Sequence, residues 1–290
     1  MNRILLALLV GALARAEIHA QVTPAALARE WEAARVIKAL PALEDDQAAQ
    51  NFQNALIERI SGKLGRPVGY KAALTNPKAQ QPFGVDQPIL GVLLEKMLLE
   101  DHAELALDYA ARPAVEADLL VRVRDPNINE AKTDLELLAG LGEVIPFIEL
   151  ADLLLAPGAS NDLRTLTALN AGARTGVVGT PVALTADQAT LDRLGAFTVR
   201  LEDEKGRLYG AGRGADLLGH PIHVVRWMRD ALRARGDRLR EGDVLSLGTL
   251  TPVQALKKPA RLTAHYYGLL ADPEDDLSVT CILHEAAASD

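Results

Sequence analysis

From residue 66 onward the chain is a succession of short β-type runs punctuated by glycine and proline, at 66–74, 113–124, 143–150, 175–184, 195–202, 207–213, 243–248, 260–268 and 278–284. Runs of this length with β-rich or alternating apolar residues read as strands. Helical patterning intervenes only at about 129–141, 160–172 and 221–235, the last opening with Pro221 and closing at Gly236. A doubly wound parallel sheet needs a helix after nearly every strand, and that alternation is missing. The pattern therefore predicts an α+β fold: a mixed, mainly antiparallel β-roll or barrel with peripheral helices.

The residues ahead of this region are helical in pattern. Thr23 and Pro24 make an N-cap and first turn for a helix over 24–41, with Leu27, Trp31, Ala34 and Ile37 on one face. A second helix is expected from about Asp46 through Phe52, Leu56 and Ile60, stopping at Gly62 or Gly65. This helical portion, 21–65, is below the usual size of an independent domain. Residues 21–290 are accordingly expected to form a single domain, with 66–290 as its β-roll. Residues 1–20 stand apart: a short basic start, an apolar run over 4–14, and small residues at Ala14 and Ala16 follow the signal-peptide pattern. That run is too short for the roughly 20 apolar residues of a membrane span. The expectation is cleavage and export, in a bacterium to the periplasm, and the alternative is a first helix packed on the body.

With 31 Lys and Arg against 39 Asp and Glu, the net charge of −8 argues against nucleic acid and anionic membranes as partners. A lone cysteine, Cys281, and six histidines without ligand spacing exclude disulfide scaffolds, zinc ribbons and iron–sulfur clusters. No Gly-x-Ser-x-Gly motif signals a hydrolase triad.

The chemistry concentrates in two segments. VEADLLVRV, 115–123, alternates so that Val115, Ala117, Leu119, Val121 and Val123 share one strand face and Glu116 and Asp118 share the other. Two like charges at this spacing are tolerated on a solvated face, when one is protonated, or around a cation. The second segment, VIPFIEL, 144–150, is an apolar run with Glu149 inside it, where an unpaired charge is costly. Three carboxylates without thiolate or imidazole describe a hard-cation site for Mg²⁺ or Mn²⁺; the alternative for Glu149 is a pair with Arg122 or Arg174. Asp152 reads as an outer hydrogen-bonding group or a helix cap. Lys71, among small residues, is either a surface lysine or an ammonium facing a bound anion. The glycines at 210, 212 and 214 match neither the dinucleotide nor the phosphate-loop spacing and suggest a tight turn, while His220, next to Pro221, suggests a helix cap.

Taken in order, GYKAALTNPKAQQPFGVDQPILGVL (69–93), VEADLLVRV, EVIPFIEL (143–150), the Asn170-Ala171 pair, GAGRGADLLGHP (210–221) with Trp227, and GDVLSLGTLTP (242–252) resemble the 2-keto-4-pentenoate hydratase and 4-oxalocrotonate decarboxylase family of the fumarylacetoacetate hydrolase superfamily. The resemblance spans roughly 25–283 and implies the superfamily's β-roll, with Glu116, Asp118 and Glu149 as ligands to Mg²⁺ or Mn²⁺. It further implies Asn170, Gly172 and Thr249 as substrate contacts, and a homo-oligomer. The implied reaction is hydration of a 2-hydroxy-2,4-dienoate to a 4-hydroxy-2-oxo acid, or decarboxylation of a related oxo-diacid. Three departures from the family pattern stand out: Ile89 where an acid commonly follows the proline, Leu153 and Leu154 in place of Ser-Arg, and Gly172 in place of serine. They leave Lys71, Asp86 and a metal-bound water as the candidate proton carriers. Two other readings remain, a C–C hydrolase with a proton-relay histidine and a non-catalytic exported binder of metal and oxo-acid. Lys71→Met is expected to leave folding almost unchanged and to weaken anion binding.

Overall fold

The computed structural model describes residues 22–159, 161–272 and 276–286; the segment 1–20 read as an export signal lies outside them. Among the described residues no helix is long and apolar enough to cross a membrane. Helices α1 (Pro24–Glu32) and α2 (Asp46–Leu64) come first, followed by β1 (Pro67–Ala73), the single-turn α3 (Pro77–Gln80), β2 (Ile89–Leu94), β3 (Leu98–Glu100) and β4 (Glu104–Ala106). The long strands β5 (Pro113–Val123) and β6 (Leu141–Asp152) flank α4 (Asp134–Ala139). Next come α5 (Leu163–Ala168), β7 (Thr175–Val178), β8 (Val182–Ala183), α6 (Gln188–Ala196), β9 (Thr198–Asp203), β10 (Leu208–Arg213) and α7 (Pro221–Ala234). The chain closes with β11 (Val244–Ser246), β12 (Gln254–Ala255), β13 (Ala260–Tyr267) and β14 (Leu277–His284).

One sheet runs in the order β2-β1-β11-β5-β6-β7-β3, with β12 added to β5 and β8 to β6; the second runs β10-β9-β13-β14-β4. Pairings are antiparallel except β1–β11, β3–β7 and β4–β14, so the mixed, mainly antiparallel expectation holds. The alternation read in 115–123 also holds. Val115, Ala117, Leu119, Val121 and Val123 enter the principal core with Leu201, Leu262 and Val279 of the second sheet and Val225 and Met228 of α7. Full burial of each such side chain contributes about 1.5–3 kcal/mol. Tyr266 stitches the sheets together: its hydroxyl donates to the backbone oxygen of Asp118 and accepts the N–H of Phe147 at 3.2 Å. Cys281 is buried in this core, which pushes its thiol up to about 12 and leaves it a packing group.

The N-terminal helices have no core of their own. Leu27, Trp31, Phe52, Leu56 and Ile60 pack with Leu94, Met97, Leu155 and Leu169 of the β-roll. The Arg174 guanidinium lies 3.8 Å over the Trp31 ring, and its Nε donates to the backbone oxygen of Tyr109 at 2.7 Å, tying α1 to the body.

Several local expectations are corrected. The helix expected over 24–41 ends at Glu32, Ala34 turns left-handed at φ 48°, and Ile37 donates to Leu154 O and accepts from Ala156 N in a bridge beside Leu155. Burial against that bridge places Ile37 inside without a helix. The helix expected over 129–141 begins only at Asp134, where Thr133 and Glu136 form a capping box. That over 160–172 shortens to α5, capped by Asp162. Strand β2 and helix α6 were not anticipated; α6 occupies the start of the run expected as strand from 195. The β run expected over 207–213 is β10, so Gly210 and Gly212 lie in a strand and not in a tight turn; a Cβ on Gly212 would lie 1.9 Å from Leu250 O, and glycine lets the 249–252 segment approach. His220 does cap α7, its Nδ1 accepting the N–H of Ile222 at 3.1 Å.

Candidate active site

Register and pleat gather the acidic residues. Glu116 on β5 lies directly opposite Glu149 on β6, and Asp118 opposite Phe147, so all four side chains share one face of the large sheet. On the neighbouring strands Lys71 pairs in register with Ser246, which in turn pairs with Leu120 of β5. The same face continues into an apolar patch of Leu120, Ile145, Phe147 and Val244. Lys71, Glu116, Asp118 and Glu149 are each at most 3% exposed, which rules out a solvated strand face and a surface lysine.

Each charged group has a defined partner. Lys71 Nζ donates to Glu149 Oε1 and, at 3.1 Å, to the backbone oxygen of Ala171. The partners anticipated for Glu149 are occupied elsewhere, Arg122 with Glu143 at 2.8 Å and Arg174 with Trp31 and Tyr109. Thr249 Oγ1 donates to Glu116 Oε2 at 2.7 Å. Asp118 accepts from the Ser246 hydroxyl and, at 2.5 Å, from Leu119 N–H. Burial pushes the Glu116 carboxyl well above the usual carboxylate range and the Glu149 charge adds to this, against the pull of Lys71 and the Thr249 hydroxyl. The Asp118 carboxyl is raised by the same two causes, against the hydrogen bonds from Ser246 and Leu119. For Lys71, burial works against the charge, but Glu149, Glu116 and Asp118 outweigh it and hold the ammonium above its ordinary value. The Lys71 ammonium is thus set among three carboxylates, with Glu149 as its direct partner.

A cavity of about 1170 Å³ opens on this cluster and is lined by Lys71, Glu116, Thr249, Asn76 and Gly172 among others. Of the polar positions singled out from sequence, Lys71, Glu116, Asp152 and Thr249 reach it, together with Gly172; Asp118 and Glu149 lie in the sheet behind. Asp86 is exposed and does not line it. Asn170 does not line it either. Its side chain accepts from Val92 N at 2.7 Å and Gln53 Nε2 at 3.1 Å and donates to Val92 O at 2.9 Å, so it positions β2 and the Asn170–Gly172 turn instead of contacting a ligand. That turn is held with Asn170, Ala171 and Gly172 all at positive φ, which aims the Ala171 carbonyl at Lys71. Asp152 caps no helix; its oxygens accept the N–H groups of Ala111 and Arg112, both at 3.0 Å. Of the departures from the family pattern, Ile89, Leu153 and Gly172 line this one cavity, while Leu154 is buried against the N-terminal helices.

Sequence reasoning missed Ser246, Gln53 and Tyr266. The first two carried a signal, a lone hydroxyl in the apolar run VLSLG and a glutamine on the buried stripe of α2 beside Phe52 and Leu56.

The set fits a hard divalent cation in chemistry and charge. Three buried carboxylates face one ammonium, and Glu149 Oε2 is buried without a hydrogen-bond partner. With Glu149 turned to Lys71 and Asp118 to Ser246, no three His, Cys, Asp or Glu groups among the described residues are disposed to hold an ion. The expected convergence of Glu116, Asp118 and Glu149 on one point is thus not formed while these partners are kept.

No family model matches the chain. The fold is that of fumarylacetoacetate hydrolase superfamily structures: a 4-oxalocrotonate decarboxylase from Pseudomonas putida G7, complexed with magnesium and adipate, aligns at TM-score 0.76 with 21% identity, over 90% of this chain and 95% of that one. In sequence, a 2-keto-4-pentenoate hydratase of Burkholderia vietnamiensis is 30% identical over 222 residues, 77% of this chain and 81% of the relative. A 4-oxalocrotonate decarboxylase of Pseudomonas putida is 27% identical over 222 residues, 76% of this chain and 81% of the relative. The chain belongs to the 2-keto-4-pentenoate hydratase family.

Proposed function

We propose that the protein is a divalent-metal-dependent lyase that adds water to a 2-hydroxy-2,4-dienoate, giving a 4-hydroxy-2-oxo acid. The observation that carries this reading is the buried Lys71–Glu149–Glu116 cluster at the wall of a large cavity, in a chain whose relatives are named for this chemistry. Decarboxylation of a related oxo-diacid is the second reading, favoured by the fold match to a decarboxylase.

Glu116 and Glu149, with Asp118 behind them, would hold Mg²⁺ or Mn²⁺. Such an ion supplies Lewis-acid charge to the carboxylate and C2 oxygen of an oxo-acid. Lys71 adds a positive charge at the cavity wall, where low dielectric strengthens its pull on a developing enolate oxygen. Thr249 holds the Glu116 carboxyl in place through its hydroxyl. The Ala171 carbonyl orients the Lys71 ammonium. In hydration, C5 of the dienol gains a proton as the C2 hydroxyl loses one, and water then adds its oxygen to C4 and a proton to C3. Export, read from residues 1–20, and a homo-oligomer complete the proposal; both rest on sequence and resemblance.

The test is turnover of 2-hydroxypenta-2,4-dienoate by the chain with Mg²⁺. Conversion to 4-hydroxy-2-oxopentanoate is the expected result, and carbon dioxide release from 4-oxalocrotonate would shift the assignment to the decarboxylase. Binding of an oxo-acid without turnover of either compound would make the protein a binder.

A further inference from the structure

We propose that the substrate carries an apolar tail, an alkyl or aryl group extending from the oxo-acid head into the part of the cavity walled by Leu153, Leu155, Leu166 and Leu169; this rests on the oxo-acid reading above. At about 1170 Å³ the cavity matches or exceeds the roughly 300–1,000 Å³ of sites that enclose drug-sized ligands, and a five-carbon acid fills a small part of it. Its polar groups gather where Lys71, Glu116, Asn76 and Thr249 meet, whereas Ile89, Leu153, Leu155, Leu166, Leu169 and Val253 supply apolar wall.

The charged side chains elsewhere in the lining are mostly engaged by backbone. Arg112 Nη1 donates to the carbonyls of Leu153 and Leu155, Asp152 accepts two backbone N–H groups, and Asp216 accepts Arg213 N–H at 2.9 Å. Lys78, on α3, is the remaining lining cation and is exposed. A second carboxylate at the tail end would find only the exposed Lys78 and an Arg112 whose Nη1 is already held by two carbonyls. Two large apolar side chains of this lining, Leu153 at 38% and Val253 at 46%, are also exposed. Exposed apolar surface continuous with a substrate cavity is what an apolar tail covers.

The experiment is calorimetric titration of the full chain, in buffer holding Mg²⁺, with the unreactive acids 2-oxobutanoate, 2-oxohexanoate and 2-oxooctanoate and with the dicarboxylate 2-oxoadipate. Burial of the tail strengthens binding about threefold per methylene, so 2-oxooctanoate should bind about eightyfold more tightly than 2-oxobutanoate, and 2-oxoadipate no more tightly than 2-oxohexanoate. In Leu153→Asp and Val253→Asp, whose side chains are exposed and whose folding is therefore spared, the ratio of long to short affinity should fall below about fivefold. A flat series, a preference for the dicarboxylate, or an unchanged ratio in both variants overturns the inference while leaving the oxo-acid reading standing. Failure of every acid to bind overturns that reading and the inference with it.

Discussion

Replacing Lys71 by methionine is expected to cost the metal-free protein about 3–5 kcal/mol of stability near pH 8, the range for removing one partner of a buried ion pair. The sequence alone suggested that folding would hardly notice this change. Burial alters the expectation: Lys71 and Glu149 are 4% and 3% exposed at the side chain, and the lysine is the positive charge among three carboxylates on its sheet face. Without it Glu149 is left charged and unpaired, and the cluster must take up protons or open. The loss should therefore shrink as the pH is lowered toward 5, and Mg²⁺ should recover part of it, since the cation then replaces the ammonium opposite Glu149. Urea unfolding of parent and variant, with and without Mg²⁺, measures all three effects. An unchanged midpoint in chelated protein at pH 8 would mean that the pair does not hold the sheet face together.

The second large effect is on pH dependence. Glu116 and Asp118 have carboxyls raised well above their ordinary values of 4.5 and 3.8, so between those values and the raised ones the folded chain binds more protons than the unfolded chain. Stability must then fall as pH rises through that window, by up to about 1.4 kcal/mol per pH unit for each proton involved. Below about pH 4 the two states are protonated alike at these groups and the effect vanishes. Lys71, also raised, acts in the same sense but only above its ordinary value of 10.5, so its stabilising contribution stays constant across this range. Chelated protein should lose stability steadily between pH 5 and 8.5 in urea titrations, and protein saturated with Mg²⁺ should lose much less. A midpoint that rises over the same range in chelated protein would show the carboxylates to be charged and compensated in the fold without metal.

What was legible in the sequence follows from which forces are local. The period-2 pattern of 115–123 gave the faces of β5 correctly because both faces are built from alternation, and the apolar run around Glu149 gave its burial. The cross-strand register that sets Glu116 against Glu149 was out of reach, because it depends on a strand pairing with 17 loop and helix residues between its halves and no local code for the offset. Lys71 looked like a surface residue as easily as a buried one, since its burial comes from β1 being sandwiched between β2 and β11, and β2 itself was unread as a strand. Asp86 and Asn170 came from the resemblance. One stays in an exposed loop; the other has its amide fully engaged by Val92 and Gln53, partners 78 and 117 residues away. The GAGRG run was misread because its glycines answer a long-range need, the close approach of Leu250 to Gly212, and not a local turn.

The acidic cluster is proposed as a divalent-metal site whose metal-free form is held by Lys71. Calorimetric titration of chelator-treated full-length chain with Mn²⁺, run in parallel on Glu149→Gln and Glu116→Gln, tests it most directly. One ion should bind per chain, and each variant should weaken it beyond the roughly 10–100-fold that loss of a mere outer hydrogen-bond partner costs. Absence of saturable binding in the parent, or binding that neither substitution changes, would contradict the account.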